Sequence, residues 1–180
     1  MISESILQGE AVRLRPTEEQ DLPAFVDWLR DSEVRFWLAL EDPPTIESER
    51  EWLQTSRSDA FCLTWAIETS EGSLIGSVEL WGIDEAQGRA MLGIAIQDKS
   101  QWGKGYGTEA VRQVLRYAFA ELGLRRVALT VDVENNRAIR TYRKCGFVEE
   151  GVLRAYRLRE GRPIDAFAMA VLAEQWTPKA

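Results

Sequence analysis

The chain has 180 residues, with 22 lysines and arginines against 29 aspartates and glutamates, a formal charge of −7 and no histidine. The missing imidazole excludes a Ser-His-Asp triad, a Cys-His pair and a histidine-ligated zinc site, because histidine is the usual base and a common metal ligand near neutral pH. The acidic balance argues against a nucleic-acid partner, whose recognition draws on clustered basic charge, and favours cationic partners.

The length and a hydrophobic content of 45% suit a single domain over residues 1–180. No apolar run reaches the roughly 20 residues that a membrane helix needs. We therefore expect a cytoplasmic protein with no membrane partner and no metal. Cys62 and Cys145 are too few for a disulfide framework or a zinc cluster and are expected to be buried thiols.

In chain order, Ala11 to Arg15 reads as a short strand ended by Pro16. Thr17 to Gln20 has capping-box spacing and opens a helix to about Arg30, with Leu22, Phe25, Val26 and Leu29 on one face. Prolines break the pattern at Leu40 to Pro44, and a second helix runs from Thr45 to about Ser56, the two helices forming a lid-like layer. Phe61 to Glu68, Leu74 to Leu80 and Arg89 to Ile96 read as an antiparallel meander. A glycine-rich stretch, Gly103-Lys104-Gly105-Tyr106-Gly107, then leads into a long helix whose Val111, Val114, Leu115, Ala118 and Leu122 mark an apolar face. Gly123 ends that helix. Val127 to Val133 alternates as a strand, Asn135 caps a short helix through Cys145, and two strands, Phe147 to Arg157 and Pro163 to Leu172, close the chain around a turn at Glu160-Gly161.

Glycines at alternate positions between a strand and a helix expose backbone N–H groups, and the helix start adds unpaired donors and the positive end of a dipole. Together these suit an anion. The bland alternative is a connector that needs positive φ. Neither familiar nucleotide loop fits. A P-loop places its lysine and a hydroxyl after the last glycine, whereas here Lys104 lies inside the loop. A dinucleotide fingerprint needs G-x-G-x-x-G after the first strand of a parallel sheet.

The segments Gln101-Trp102-Gly103-Lys104-Gly105-Tyr106-Gly107-Thr108-Glu109-Ala110 and Asn135-Asn136-Arg137-Ala138-Ile139-Arg140-Thr141-Tyr142-Arg143-Lys144-Cys145-Gly146-Phe147 resemble the two signature regions of the GNAT superfamily of N-acetyltransferases. The whole pattern is most similar to the branch of ribosomal-protein N-terminal and spermidine N-acetyltransferases. The resemblance implies an α/β (α+β) acyl-CoA N-acyltransferase fold, a mixed, mostly antiparallel twisted sheet flanked by helices with splayed central strands. It also implies a homodimer and acetyl-CoA as cofactor. Trp102 to Gly107, with Thr108, would hold the diphosphate of coenzyme A. Leu92, Gly93, Ile94, Ala95 and Ile96 would offer backbone groups to the pantetheine arm and the thioester carbonyl. Asn135, with Arg137 and Ala138 in the same segment, would contact the cofactor, and Tyr142 matches the tyrosine that protonates the departing thiolate. Two positions depart from the family: Trp102 stands where an arginine or glutamine is common, and Met91 where many relatives carry a glutamate.

Acetyl transfer to an amine needs a placed thioester, a neutral amine, an oxyanion donor and an acid for sulfur, none of which requires histidine. A backbone N–H near Ile94 and the phenol of Tyr142, protonated at neutral pH, can supply the last two. Taken alone, Tyr142 reads more readily as a core aromatic on a short helix, and the Asn135-to-Phe147 pattern reverses that preference. The base is a carboxylate or water. Glu79, Glu41 and Asp42 are candidates to line an acidic acceptor site with Trp37 and Trp81 as apolar walls, although each acid taken singly reads as a surface charge. Arg137, Arg140, Arg143 and Lys144 form a basic cluster within reach of the adenosine 3′-phosphate. The expected activity is transfer of acetyl from acetyl-CoA to a primary amine: a polyamine, a peptide N-terminus or another small amine. The competing reading is a catalytically inactive coenzyme A-binding module.

Overall fold

The computed structural model describes residues 5–178. Its strands are β1 (Leu7–Gln8), β2 (Val12–Pro16), β3 (Leu63–Thr69), β4 (Leu74–Asp84), β5 (Arg89–Ile96), β6 (Arg126–Asp132), β7 (Val148–Arg159) and β8 (Arg162–Leu172). The helices are α1 (Leu22–Trp28), α2 (Ser32–Leu38), α3 (Ile46–Ser58), α4 (Tyr106–Ala120) and α5 (Asn136–Lys144). The strands form one sheet in the order β1-β2-β3-β4-β5-β6-β8-β7. All neighbours pair antiparallel except β5 and β6, which run parallel. This is the mixed, mostly antiparallel α/β architecture expected.

Periodicity built the centre. Ala110, Val111, Val114, Leu115 and Ala118 of α4 are fully buried against the sheet, each large side chain contributing about 1.5–3 kcal/mol by leaving water. The polar side chains of α4 that face the sheet edge are used as well. Glu109 Oε1 accepts from Ala11 N at 2.9 Å, and Gln113 Nε2 donates to the Val12 carbonyl at 2.9 Å.

The first 60 residues depart most from the expected pattern. The capping pair is Glu18 and Asp21, not Thr17 and Gln20: Asp21 accepts from Glu18 N at 2.8 Å. Arg15 decides this shift by gripping Asp21 with both terminal nitrogens at 2.7 Å, so the buried carboxylate fixes the register of the turn. The helix opens as a 3₁₀ turn over Glu19–Asp21 and continues as α1 from Leu22. Helix α2 had no expected counterpart. Asp31 caps it, accepting from Glu33 N at 2.8 Å. Helices α1 and α3 share a small apolar cluster of Leu22, Phe25 and Leu53, packed by Trp28, Ile46, Trp52 and Leu74. The cluster meets the sheet at Leu74 of β4, and its Phe25 and Trp52 line the cavity described below. Cys145 is buried as expected, but Cys62 is only partly so.

The strand pair β5 and β6 positions the site. Their pairing stops at Met91 opposite Ala128. Strand β5 remains paired to β4 as far as Ile96, and β6 to β8 as far as Asp132. Between Leu92 and Ile96, therefore, the β6-facing edge of β5 has no strand beside it. The wedge opens toward the first turns of α4 and α5, the two helices that follow these strands.

Candidate active site

The wedge forms part of the wall of a cavity of 810 Å³. The cavity brings together Leu92 to Ile96, Trp102, Gly103, Gly105 to Thr108, Asn135, Arg137, Ala138 and Tyr142. At its other end it is lined by Trp37, Glu79 and Trp81. Lys104 is exposed outside it and donates to Gln101 Oε1 at 2.8 Å. Glu41 and Asp42 are also outside. Glu41 lines a separate depression with Arg35, Phe36 and Arg159, whereas Asp42 lines neither.

The glycine loop is held open by its backbone. Gly103 and Gly105 adopt φ of 79° and 90°, which side-chain-bearing residues rarely reach. The connector reading of these glycines is thus physically real, and the conformation leaves donors exposed. Among the described residues, the N–H groups from Gly103 to Gly107 have no backbone carbonyl partner, while Thr108 and Glu109 already donate to the Gly105 carbonyl. Unpaired amides in sequence, at a helix start, are an anion cradle. Asn135 caps α5, its Oδ1 accepting from Ala138 N at 3.1 Å, so a second helix N-terminus lines the same cavity.

Burial is the main cause of the shifts at Tyr142 and Glu79 in the cavity and at Cys145 close to Tyr142. The Tyr142 phenol is pushed up to about 12, chiefly by desolvation and further by Cys145, so it keeps its proton at neutral pH. Cys145 is pushed up to about 11 by burial and donates weakly to the Thr108 carbonyl at 3.5 Å. It is a neutral packing thiol. Burial raises Glu79 above the ordinary carboxylate range. Its side chain lies over Gly93, directly opposite on β5, where an added methyl would meet Glu79 Oε1 at 2.7 Å.

Several lining residues were missed in the sequence. Glu49 of α3 faces the cavity, and burial raises it as well. The signal was available, since Glu49 sits with Ile46, Trp52 and Leu53 on the apolar face of an amphipathic helix, an unusual place for a carboxylate. Gln97 is 6% exposed, lines the cavity and has an Oε1 with no partner. Asp132 and Arg157 lie opposite each other at 3.0 Å, a pairing that spans β6 and β7 and could not be read from spacing. Of the basic cluster, Arg137, Arg140 and Lys144 line the cavity, whereas Arg143 turns outward to Glu149.

A sheet split between two helix N-termini, one carrying a loop of open amides, suits a phosphate-bearing carrier held along the wedge. Residues 11–148 match the acetyltransferase (GNAT) domain, and the chain belongs to this family. It is 33% identical over 170 residues to spermidine N(1)-acetyltransferase of Escherichia coli K12, covering 93% of this chain and 89% of that one. It is 29% identical over 171 residues to the uncharacterized N-acetyltransferase YoaA of Bacillus subtilis, covering 93% and 96%. The crystal structure of spermidine N-acetyltransferase from Vibrio cholerae in complex with CoA and spermine superposes with a TM-score of 0.85 at 28% identity, covering 93% of this chain and 98% of that one. The chain is an acetyltransferase with acetyl-CoA as its acetyl donor. The open amides of Gly103 to Gly107 and the free edge of Leu92 to Ile96 fit the diphosphate and the amide-bearing arm of that donor.

Proposed function

We propose that the enzyme acetylates a primary amine carrying further positive charge, with polyamines as the favoured acceptor class. The observation that carries this reading is the pair of desolvated carboxylates, Glu49 and Glu79, in the same cavity as the open loop. Carboxylates that share the cavity with the indoles of Trp37, Trp52 and Trp81 make a site for ammonium groups, by charge and by cation–π attraction. The names of the Escherichia coli and Vibrio cholerae relatives support the same class. A peptide N-terminus carries one ammonium and makes less use of two acids.

Bound acetyl-CoA supplies an activated acetyl thioester. In this reading the amides of Gly103 to Gly107 hold the diphosphate, Asn135 and Ala138 border the arm, and the backbone N–H of Ile94 points along the open edge as oxyanion donor. Glu79 takes the proton from the acceptor ammonium at a carboxylate oxygen, and burial makes it a stronger base than an exposed glutamate. Tyr142 holds a proton at Oη for the departing sulfur. Trp81, nearly half exposed, forms the outer lip. Glu41 and Asp42 remain at the surface and are assigned to long-range attraction of cations rather than contact.

Nothing in the cavity favours a binding-only module, and the named relatives are enzymes. Among the described residues no helix is long and apolar enough to cross a membrane; cytoplasmic action and a homodimeric assembly are part of this proposal. Thiol release from acetyl-CoA, measured with polyamines, N-terminal peptides, monoamines and aminoglycosides, tests it. The highest kcat/KM is expected for a polyamine, and Glu49→Gln should raise KM for spermidine more than for a monoamine. Equal effects on both would overturn the acceptor assignment.

A further inference from the structure

Trp102 occupies the loop position at which an arginine or glutamine side chain is common in the family. Its ring is not idle. Trp102 Nε1 donates to the Ile96 carbonyl at 2.7 Å, tying the loop to the end of the splayed strand. The guanidinium of Arg137, from the first turn of α5, lies 3.5 Å from the centre of the indole ring. Both side chains line the cavity that contains the open amides. Lys99, the other cation near this ring at 6.0 Å, is paired with Asp31 and Glu33 of the α2 end. Arg137 forms no ion pair or side-chain hydrogen bond among the described residues.

We propose that Trp102 is a positioning residue that holds the Arg137 guanidinium on its ring, and that Arg137 supplies a cationic phosphate contact that the side chain at position 102 cannot make. That charge comes from α5 and not from position 102. An arginine stacked on an indole is pre-organised. Its planar face is used by the ring while its edge donors stay available for a phosphate oxygen. The anchor to Ile96 fixes the ring, so loop, strand end and α5 are joined at one point. The phosphate is either the diphosphate or the 3′-phosphate of coenzyme A, which share this chemistry.

This inference rests on acetyl-CoA as the donor, and calorimetric binding of CoA to the unmodified enzyme tests that reading separately. The test of the inference compares unmodified protein, Arg137→Gln, Arg137→Lys and Trp102→Leu for binding of CoA, 3′-dephospho-CoA and pantetheine. Arg137→Gln should weaken CoA about tenfold or more, the usual effect of losing a charged hydrogen bond, and should leave pantetheine unchanged. If the penalty disappears with 3′-dephospho-CoA, the 3′-phosphate is the partner; if it persists there, the diphosphate is. Arg137→Lys should retain more affinity than Arg137→Gln. Trp102→Leu should weaken CoA in the unmodified chain and much less in the Arg137→Gln background, with added salt narrowing the difference between unmodified protein and Arg137→Gln. Unchanged CoA affinity in Arg137→Gln, or an equal loss for pantetheine, would overturn the proposal. Because Arg137 is a partly exposed helix residue, its variants report even if Trp102→Leu fails to fold.

Discussion

Gly93→Ala is the sharpest test of how the site holds Glu79, the proposed base. Gly93 faces Glu79 across the β4–β5 pair, and a methyl there would sit 2.7 Å from Glu79 Oε1, 3.1 Å from Cγ and 3.4 Å from Cδ. Ordinary contacts to carbon begin at about 3.5 Å. The nearest oxygen must therefore retreat by about 0.8 Å, and because it ends a flexible side chain the fold can yield at little cost. Gly93 has no positive φ to forbid the substitution, and alanine regains about 0.5–1 kcal/mol of strand entropy. The melting temperature should thus change little. Activity should change much more, since a displacement near 1 Å at a catalytic group costs up to about a hundredfold. We expect kcat/KM to fall ten- to a hundredfold with saturating acetyl-CoA, measured by thiol release. The decisive measurement is a double-mutant cycle with Glu79→Ala, which removes the group that the methyl displaces. Gly93→Ala should then cost almost nothing further. A full penalty in that background would refute displacement of Glu79 and place the effect on the β5 backbone.

Tyr142→Phe should lower kcat by about a hundredfold, within the usual range for a general acid, while leaving CoA affinity intact in calorimetry; equal kcat would remove the phenol from the reaction. The rate should fall as pH drops through the raised pKa of Glu79, giving an acid limb above the ordinary carboxylate range that disappears in Glu79→Gln. The same shift has an opposite sign for stability. The folded state holds this proton more tightly than the unfolded one, so stability is lost as pH rises from the ordinary carboxylate pKa through the raised one. Glu79→Gln should therefore melt higher than the unmodified protein at pH 7, and the gain should vanish near pH 4; a lower melting temperature at pH 7 would contradict burial as the cause. Asp132 is buried against Arg159 and Arg157, so Asp132→Ala should cost roughly 3–5 kcal/mol in denaturant unfolding, the penalty for leaving buried charge unpaired; a loss under about 1 kcal/mol would show that solvent reaches the cluster.

Local sequence determined much of this protein. The period of α4 fixed the face that meets the sheet, and β5 begins and ends at Arg89 and Ile96 as its alternation indicates. Gly103 and Gly105 needed positive φ, and Asn135 capped α5, because each of these is settled by residues within a few positions. The absence of histidine removed imidazole from the candidate acids and bases. Tertiary structure decided what depends on residues far apart in the chain. Asp21 took the capping role from Gln20 because Arg15 grips it, and α2 formed under an aspartate cap where no periodic pattern announced a helix. Glu49 entered the site while Glu41 and Asp42 stayed out, because a carboxylate's environment is set by what packs over it and not by its neighbours in sequence. Trp102, a departure from the family pattern when read along the chain, became a platform only when α5 brought Arg137 onto its ring. The sequence supplied the groups, and the three-dimensional approach of α3, β4 and α5 to one wedge determined which of them are desolvated, and so which carry shifted acidity and charge.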